Sequence, residues 1–393
     1  MSHYKPIEQS FKVNYEYKLH FTEHLFGLNN PLFKELIHGY DPKGNVKVLF
    51  VIDSGVQECH PELVGQITAY CREYGSVMNL TQVIPVPGGE QCKNDYKNVE
   101  TILEAVNNNG ICRHSFVVAI GGGAVIDMVG YAAAIAHRGV KLLRIPTTVL
   151  SQNDSAVGVK NSINIFGKKN FLGTFAPAYA IINDRHFLTT LEERDWISGI
   201  AEAVKVALIK DETFFGFLEE HSARLQARDM ESMEYLIYRC AQMHMEHIAQ
   251  GGDPFESGSS RPLDFGHWAA HKLEYMTNYQ LRHGEAVAIG MAVDLVYAHF
   301  TGLIDKVTLD RILKVLEDIG FNLCIPLDTD DELEELLGGI QEFREHLGGE
   351  LTITLISRIG AKHDVHEIDI NMMRNAIVWL KEMYKSKVSN SIC

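Results

Sequence analysis

The chain has 393 residues, 46% of them hydrophobic, and a formal net charge of -15. This length and apolar content support two or three domains with large cores and exclude a disordered or fibrous chain. The acidic balance excludes a general nucleic-acid binder, which needs a basic face to displace counterions from phosphates, so any phosphate site has to be local.

No run reaches the ~20 apolar residues that cross a bilayer, and Met1 to Ser10 lacks the basic-then-apolar pattern of a signal peptide. The expected setting is the cytoplasm, with no membrane partner. Cys59, Cys71, Cys92, Cys112, Cys240, Cys324 and Cys393 are odd in number and never at C-x-x-C spacing, which predicts reduced thiols. Any metal is then left to histidines and carboxylates.

Val46 to Asp53 is a β-branched run with an acidic end, and Ser115 to Ile120 is another that ends in glycines. Both read as buried strands of a parallel sheet. Tyr96 to Asn107 and Val125 to Ala136 carry apolar residues at helical spacing, so strands and helices alternate in the manner of a nucleotide-binding fold. Leu142 to Ile145 leads through Pro146, Thr147 and Thr148 into a loop, and Tyr179 to Asn183 reads as a further strand. Beyond about Leu191 the pattern turns to long amphipathic segments: Trp196 to Ile209, Met230 to Ala249, Ala286 to Phe300 and Lys306 to Ile319. The fold class expected is α/β, with an N-terminal Rossmann-like domain over 1–190, a mostly helical domain over 191–393, and a ligand cleft between them.

Gly121, Gly122 and Gly123 follow a strand, with Asp127 four residues on at the start of a helix. Glycines let the backbone approach a pyrophosphate, and a helix N-terminus offers unpaired N–H groups. The spacing is not G-x-G-x-x-G, so it fits a plain tight turn as well. Gly88, Gly89, Glu90 and Lys93 form a second turn suited to ribose hydroxyls or merely to solvent.

Glu202 lies in the helix-like A-E-A-V-K, His267 and His271 sit one helical turn apart in D-F-G-H-W-A-A-H, and His283 opens H-G-E-A. One Glu with two or three His residues suits a zinc-type ion that keeps a position open for substrate; His271 is the member better read as a substrate contact. The segment 154–170 collects Asp154, Lys160, Lys168, Lys169 and Asn170 around a Gly, a loop of ammonium and amide donors suited to a phosphate monoester. Lys205, three residues after Glu202, shares its helical face.

The ordered set G-G-G-A-V-I-D, I-P-T-T-V-L-S-Q-N-D-S-A-V-G-V-K, G-K-K-N, A-E-A-V-K, D-F-G-H and H-G-E-A-V-A-I-G-M resembles the dehydroquinate synthase-like sugar phosphate cyclases, from roughly Asp53 to Gly360. The resemblance implies an NAD-binding α/β half, a helical half binding zinc or cobalt, and a homodimer. It implies Glu202, His267 and His283 as metal ligands. Glu90, Lys93, Gly121 to Gly123, Asp127, Thr147 and Thr148 become NAD contacts, and the acidic strand end at Asp53 is counted with them. Asp154, Lys160, Lys205 and His271 become catalytic, and Lys169, Asn170, Arg261 and Asp264 line the substrate. Arg138 would reach the phosphate in a neighbouring subunit. The implied reaction oxidises a ring carbon, eliminates phosphate, returns the hydride and closes a carbocycle by aldol addition, with no net NADH.

Departures bear on the substrate. Dehydroquinate synthases carry an amide where Asp264 stands, a lysine near Glu246, and a lysine-rich segment where this chain has F-R-E-H-L-G-G-E. Two cations expected around a substrate carboxylate are missing and an anion is added. A neutral polyol end fits better, and the chain looks closer to valiolone synthase-type relatives, which cyclise sedoheptulose 7-phosphate. Three other readings stay open: 3-dehydroquinate synthase, a metal-dependent polyol dehydrogenase, which would need no lysine loop, and a silent NAD-binding protein.

Overall fold

The computed structural model describes residues 6–251, 254–255, 262–346 and 349–390. Its first half is built as β1 (Lys18–Thr22), α1 (Leu32–Tyr40), β2 (Val46–Asp53), α2 (Ser54–Cys59), α3 (Leu63–Glu73), β3 (Met78–Val86), α4 (Tyr96–Asn108), β4 (Phe116–Gly121), α5 (Gly123–Ile135) and β5 (Lys141–Pro146), followed by β6 (Lys160–Ile165), β7 (Lys168–Phe175) and β8 (Ala180–Asp184). Six strands form a parallel sheet in the order β1-β8-β5-β4-β2-β3. Val48 to Ile52 and Phe116 to Ile120 are fully buried, as continuous apolar strands covered on both faces must be. One face packs on α4 and α5 through Val99, Ile102, Val125 and Val129, the other on α1 and α3 through Phe33, Ile37, Ile67 and Tyr70.

The order in which strands are added reverses at β2, with β3 laid down on one side and β4 on the other. The crevice above the carboxyl ends of β2 and β4 is therefore the switch point at which open α/β sheets bind ligands.

The segment expected as a lysine-bearing loop is instead a β-hairpin, β6 against β7, turning at Phe166 and Gly167 with φ of 55° and 70°. Positive φ at both turn residues matches the twist of the two strands. Arg144, set among the apolar residues Leu142, Leu143 and Ile145 of β5, is fully buried and anchors this hairpin: its guanidinium donates to Ala156 O at 2.7 Å, Asn161 Oδ1 at 2.7 Å and Lys160 O at 3.2 Å.

The second half contains α6 (Glu193–Ser198), α7 (Ile200–Lys210), α8 (Glu212–Gln226), α9 (Met230–Gln250), α10 (His267–Met276), α11 (His283–Phe300), α12 (Lys306–Ile319), α13 (Asp330–His346), the hairpin β9 (Ile353–Arg358) and β10 (Ala361–Val365), and α14 (Ile370–Asn390). The sequence predicted one helix from Trp196 to Ile209; the structure breaks it at Gly199, whose Cα faces Val149 and Leu150 so closely that a Cβ would lie 2.4 Å from Val149 Cβ. α7 and α11 run through the centre of this half and are buried almost all round. A π-helical turn, Ser151–Ser155, ties the halves together: Asn153 Nδ2 donates to Gly199 O at 2.8 Å, while Gln152 Nε2 holds the turn to the end of β8 by donating to Asp184 O at 3.1 Å. Among the described residues no helix is long and apolar enough to cross a membrane. Cys59, Cys71, Cys92, Cys112, Cys240 and Cys324 are free thiols.

Candidate active site

α7, α10 and α11 bring three side chains together. Glu202 is fully buried on α7, and its Oε1 lies 3.6 Å from His267 Nε2 and 3.8 Å from His283 Nε2. One donor atom from each lies within 4.8 Å of the others. The glycines of the D-F-G-H and H-G-E-A-V-A-I-G-M segments make this meeting possible. Gly266 has φ of 78°, and a Cβ on Gly290 would lie 2.0 Å from Gly266 O, so α10 and α11 touch backbone to backbone.

Each imidazole is held from behind. His267 Nδ1 donates to Phe265 O at 3.1 Å and His283 Nδ1 donates to Glu274 Oε2 at 3.2 Å, and both Nε2 atoms face Glu202. An outer hydrogen bond of this kind fixes tautomer and orientation in metal-ligating histidines. Burial, then the nearby Lys205 ammonium, pushes the His267 pKa well below its usual value and keeps the ring neutral. Burial opposes the charge of Glu202, but Lys205 and His283 hold its pKa below the ordinary range. Glu202 Oε1 is buried with no hydrogen-bond donor. A buried carboxylate oxygen without a donor, flanked by two imidazole nitrogens, is a donor set that fits a zinc-type cation.

Four of the groups expected to act on substrate, Lys205, Asp154, Lys169 and His271, meet this set directly or through Glu274. Lys205 pairs with Glu202 and is buried; burial opposes its charge, but Glu202 and then Asp154 raise its pKa and keep it an ammonium. Asp154 Oδ1 meets His244 Nδ1 at 3.0 Å, and Asp154, Glu202 and His244 lie within reach of one cation. Lys169 Nζ reaches Glu274 Oε1 at 3.0 Å, while the other oxygen of Glu274 accepts from His271 at 3.2 Å. Asp264, in the 3-10 turn before α10, is near enough to Lys205 to raise its pKa through space. Lys160 opens β6 with an exposed side chain. Arg261 lies outside the described residues.

The carboxyl ends of the strands gather the second group. Asp53 caps α2 by accepting from Gly55 N at 2.9 Å, and burial raises its pKa. Gly121 and Gly123 are required by packing, since a Cβ would lie 2.9 Å from Val125 and 2.5 Å from Ser155 Oγ. Gly122 instead faces open space, with Thr148 Cγ2 3.5 Å from a Cβ, and the buried Thr147 hydroxyl has no partner. A bare helix N-terminus beside that space suits a diphosphate. Lys93, Glu90, Asp127 and Asn170 form their own cluster: Lys93 Nζ meets Asp127 at 2.9 Å and Glu90 at 3.9 Å and donates to Asn170, which also accepts from Ser162 at 2.8 Å. Arg138 is exposed beyond the far end of α5, a helix about 20 Å long, and so stands apart from both groups within one subunit.

Residues 83–198 match the 3-dehydroquinate synthase N-terminal family and residues 199–341 the 3-dehydroquinate synthase C-terminal family. The 3-dehydroquinate synthase of Vibrio atlanticus (strain LGP32) is 34% identical over 303 residues, covering 76% of this chain and 81% of the relative. This chain belongs to the 3-dehydroquinate synthase family. The 3-dehydroquinate synthase of Aliivibrio fischeri (strain MJ11) is 35% identical over 299 residues, 75% of this chain and 80% of the relative. Among solved structures, 2-epi-5-epi-valiolone synthase from Streptomyces hygroscopicus subsp. jinggangensis 5008, with NAD+ and Zn2+ bound, superposes with a TM-score of 0.85 at 28% identity, covering 96% of this chain and 99% of that one. Butanol dehydrogenase A of Thermotoga maritima shares the fold alone, with a TM-score of 0.65, 14% identity, and coverage of 94% and 98%.

Within the family frame, two residues stand out that sequence reasoning gave no role. Glu274 joins Lys169, His271 and His283, and its only signal was its place one turn after His271 in H-K-L-E. His244 faces Asp154 from α9, and nothing in its A-Q-M-H-M-E surroundings marks it.

Proposed function

We propose that this family member is an NAD-dependent, zinc- or cobalt-dependent sugar phosphate cyclase that acts on a heptulose phosphate, sedoheptulose 7-phosphate, and releases inorganic phosphate and a carbocyclic cyclitol. In this reading residues 1–190 hold the dinucleotide, residues 191–393 hold metal and sugar, and the enzyme is a cytoplasmic homodimer. The observation that carries the substrate choice is the anion beside Lys205. Asp264 acts on that ammonium through space, and position 246 offers an exposed Glu where a carboxylate-binding lysine would be needed. A substrate carboxylate entering here meets like charge and loses solvent, at a cost of several kcal/mol. A hydroxylated end gains acceptors instead.

Glu202, His267 and His283 would hold the ion; Asp53, Gly121 to Gly123, Thr147 and Thr148, with Glu90, Lys93 and Asp127 beside them, would line the dinucleotide. When bound, these two groups supply Lewis-acid polarisation of a sugar oxygen and a reversible hydride acceptor. The chain's own residues do the rest. Lys205, held protonated by Glu202 and Asp154, faces the charge that develops on oxygen as the ring C–H is lost. Asp154, oriented by His244, and His271 hold sugar hydroxyls, with Arg261. Lys160 and Lys169 neutralise the phosphate and the Asn170 amide donates a hydrogen bond to it, with Arg138 contributed across the dimer. The proton from carbon goes to the departing phosphate, so atoms balance without net oxidation.

The identity of this chain to curated 3-dehydroquinate synthases favours a second reading, synthesis of 3-dehydroquinate from the carboxylated heptulosonate phosphate. Purified enzyme with NAD and zinc separates the two. Phosphate release from sedoheptulose 7-phosphate without NADH accumulation is the expected result; release from the heptulosonate alone overturns the proposal.

A further inference from the structure

A second imidazole cluster shares no residue with the set around Glu202. His60 follows α2, Glu62 precedes α3, and His186 lies in the 3-10 turn Arg185–Thr190 that leads out of the sheet. One donor atom from each of His60, Glu62 and His186 lies within 4.8 Å of the others. The rings of His60 and His186 are 5.1 Å apart, and His24 stands 4.2 Å from His186 on its other side.

The cluster is built rather than incidental. The buried Asp184 carboxylate accepts from His186 N at 2.9 Å, His24 N at 3.1 Å and Leu25 N at 2.7 Å, which locks both histidine-bearing turns to the end of β8. His60 is 4% exposed, and Thr190 Oγ1 lies 2.9 Å from its Nε2. That hydroxyl also reaches Phe187 O at 3.4 Å, so it can accept from Nε2–H, the tautomer of His60 that leaves the Nδ1 lone pair to an ion. Glu62 is exposed and His186 half-buried, so a solvated ion has an open approach. The nearest guanidinium, Arg185, is engaged by Glu23 and by Glu234.

We propose that His60, His186 and Glu62 form a second divalent-cation site, suited to borderline ions of the zinc, cobalt and nickel class, that fastens the α2–α3 turn to the segment joining the sheet to the helical half. Two imidazoles and one carboxylate are the ligand types such ions favour, with water completing the shell. An ion bound there binds the folded chain alone and raises its stability by mass action. The proposal stands apart from the assignment of substrate.

Metal-stripped protein dialysed against low-micromolar free zinc, then assayed for zinc per chain, tests it. The intact chain is expected to hold two ions. The double variant Glu202→Gln, His283→Ala is expected to hold one and to melt higher with zinc than without; adding His186→Ala and Glu62→Gln is expected to abolish both. His186→Ala with Glu62→Gln in the otherwise intact chain keeps one ion and unchanged turnover, and that retained turnover reports folding. The proposal is overturned if the Glu202→Gln, His283→Ala protein takes up no zinc, or if the second ion survives loss of His186 and Glu62.

Discussion

The two sides of the cleft differ in how their charges are satisfied. On the sheet side, Lys93 is 3% exposed yet enclosed by Asp127, Glu90 and Asn170, and Asp53 accepts from the backbone beside it. On the helical side, Glu202 keeps an oxygen without a donor, and two imidazole nitrogens face it across 3.6 and 3.8 Å. Leaving a buried polar atom without a partner costs about 1–3 kcal/mol. The charged groups of the sheet side are paired as they stand, with the Thr147 hydroxyl left for a ligand, whereas the helical side is completed by a cation.

The largest expected effect follows from removing that charge. Glu202→Gln should lose the zinc held with His267 and His283 and slow phosphate release by roughly a thousand-fold, since Lewis-acid stabilisation is worth several kcal/mol. Chelator treatment of the unaltered enzyme should match it, with zinc restoring activity to the second and not to the first. If Glu202→Gln keeps full metal content, the contrast between the two sides disappears.

A smaller effect is expected one shell out. Glu274→Gln weakens the grip on His283 and frees Lys169, and should lower zinc affinity by about 10- to 100-fold. Competition with a coloured chelator measures it. Because Lys169 is released as well, KM for the sugar phosphate should change separately from zinc affinity, which a purely structural role for Glu274 would not produce.

The smallest effect concerns stability. Asp294 is fully buried under Gly266 and Trp268, accepting from their N–H groups at 3.0 and 2.8 Å, and burial raises its pKa to about 7. A carboxyl whose folded pKa lies above its unfolded value stays protonated in the fold while the unfolded chain ionises. Stability is therefore fully present below pH 3.8 and is lost as pH rises through about 7. Between pH 5 and 7 the chain should lose roughly 2 kcal/mol more than Asp294→Asn does, by urea denaturation at each pH. Equal slopes for the two proteins would show that Asp294 ionises as readily in the fold as outside it.

What was legible in the sequence follows the same division. β2 and β4 are apolar on both faces, so runs such as V-K-V-L-F-V-I-D announce themselves, and the glycine turn after β4 marks the crevice. β1 was not legible, because K-L-H-F-T is a half-exposed edge strand whose partner, β8, lies far along the chain. The break at Gly199 depends on Val149, and the hairpin that replaced the expected lysine loop depends on Arg144 from β5. On the helical side, the spacing of His267 and His271 and the separate H-G-E-A were visible as metal-binding residue types. Their convergence on Glu202 required the close crossing of Gly266 and Gly290, and the roles of Glu274 and His244 exist only once that crossing is made.

The most direct test of the account is an anomalous-difference map of zinc-loaded crystals recorded at the zinc edge. The account predicts a strong peak enclosed by Glu202, His267 and His283, with Lys205 and Lys169 facing the same space. Zinc-loaded protein with no peak among those three side chains would contradict it.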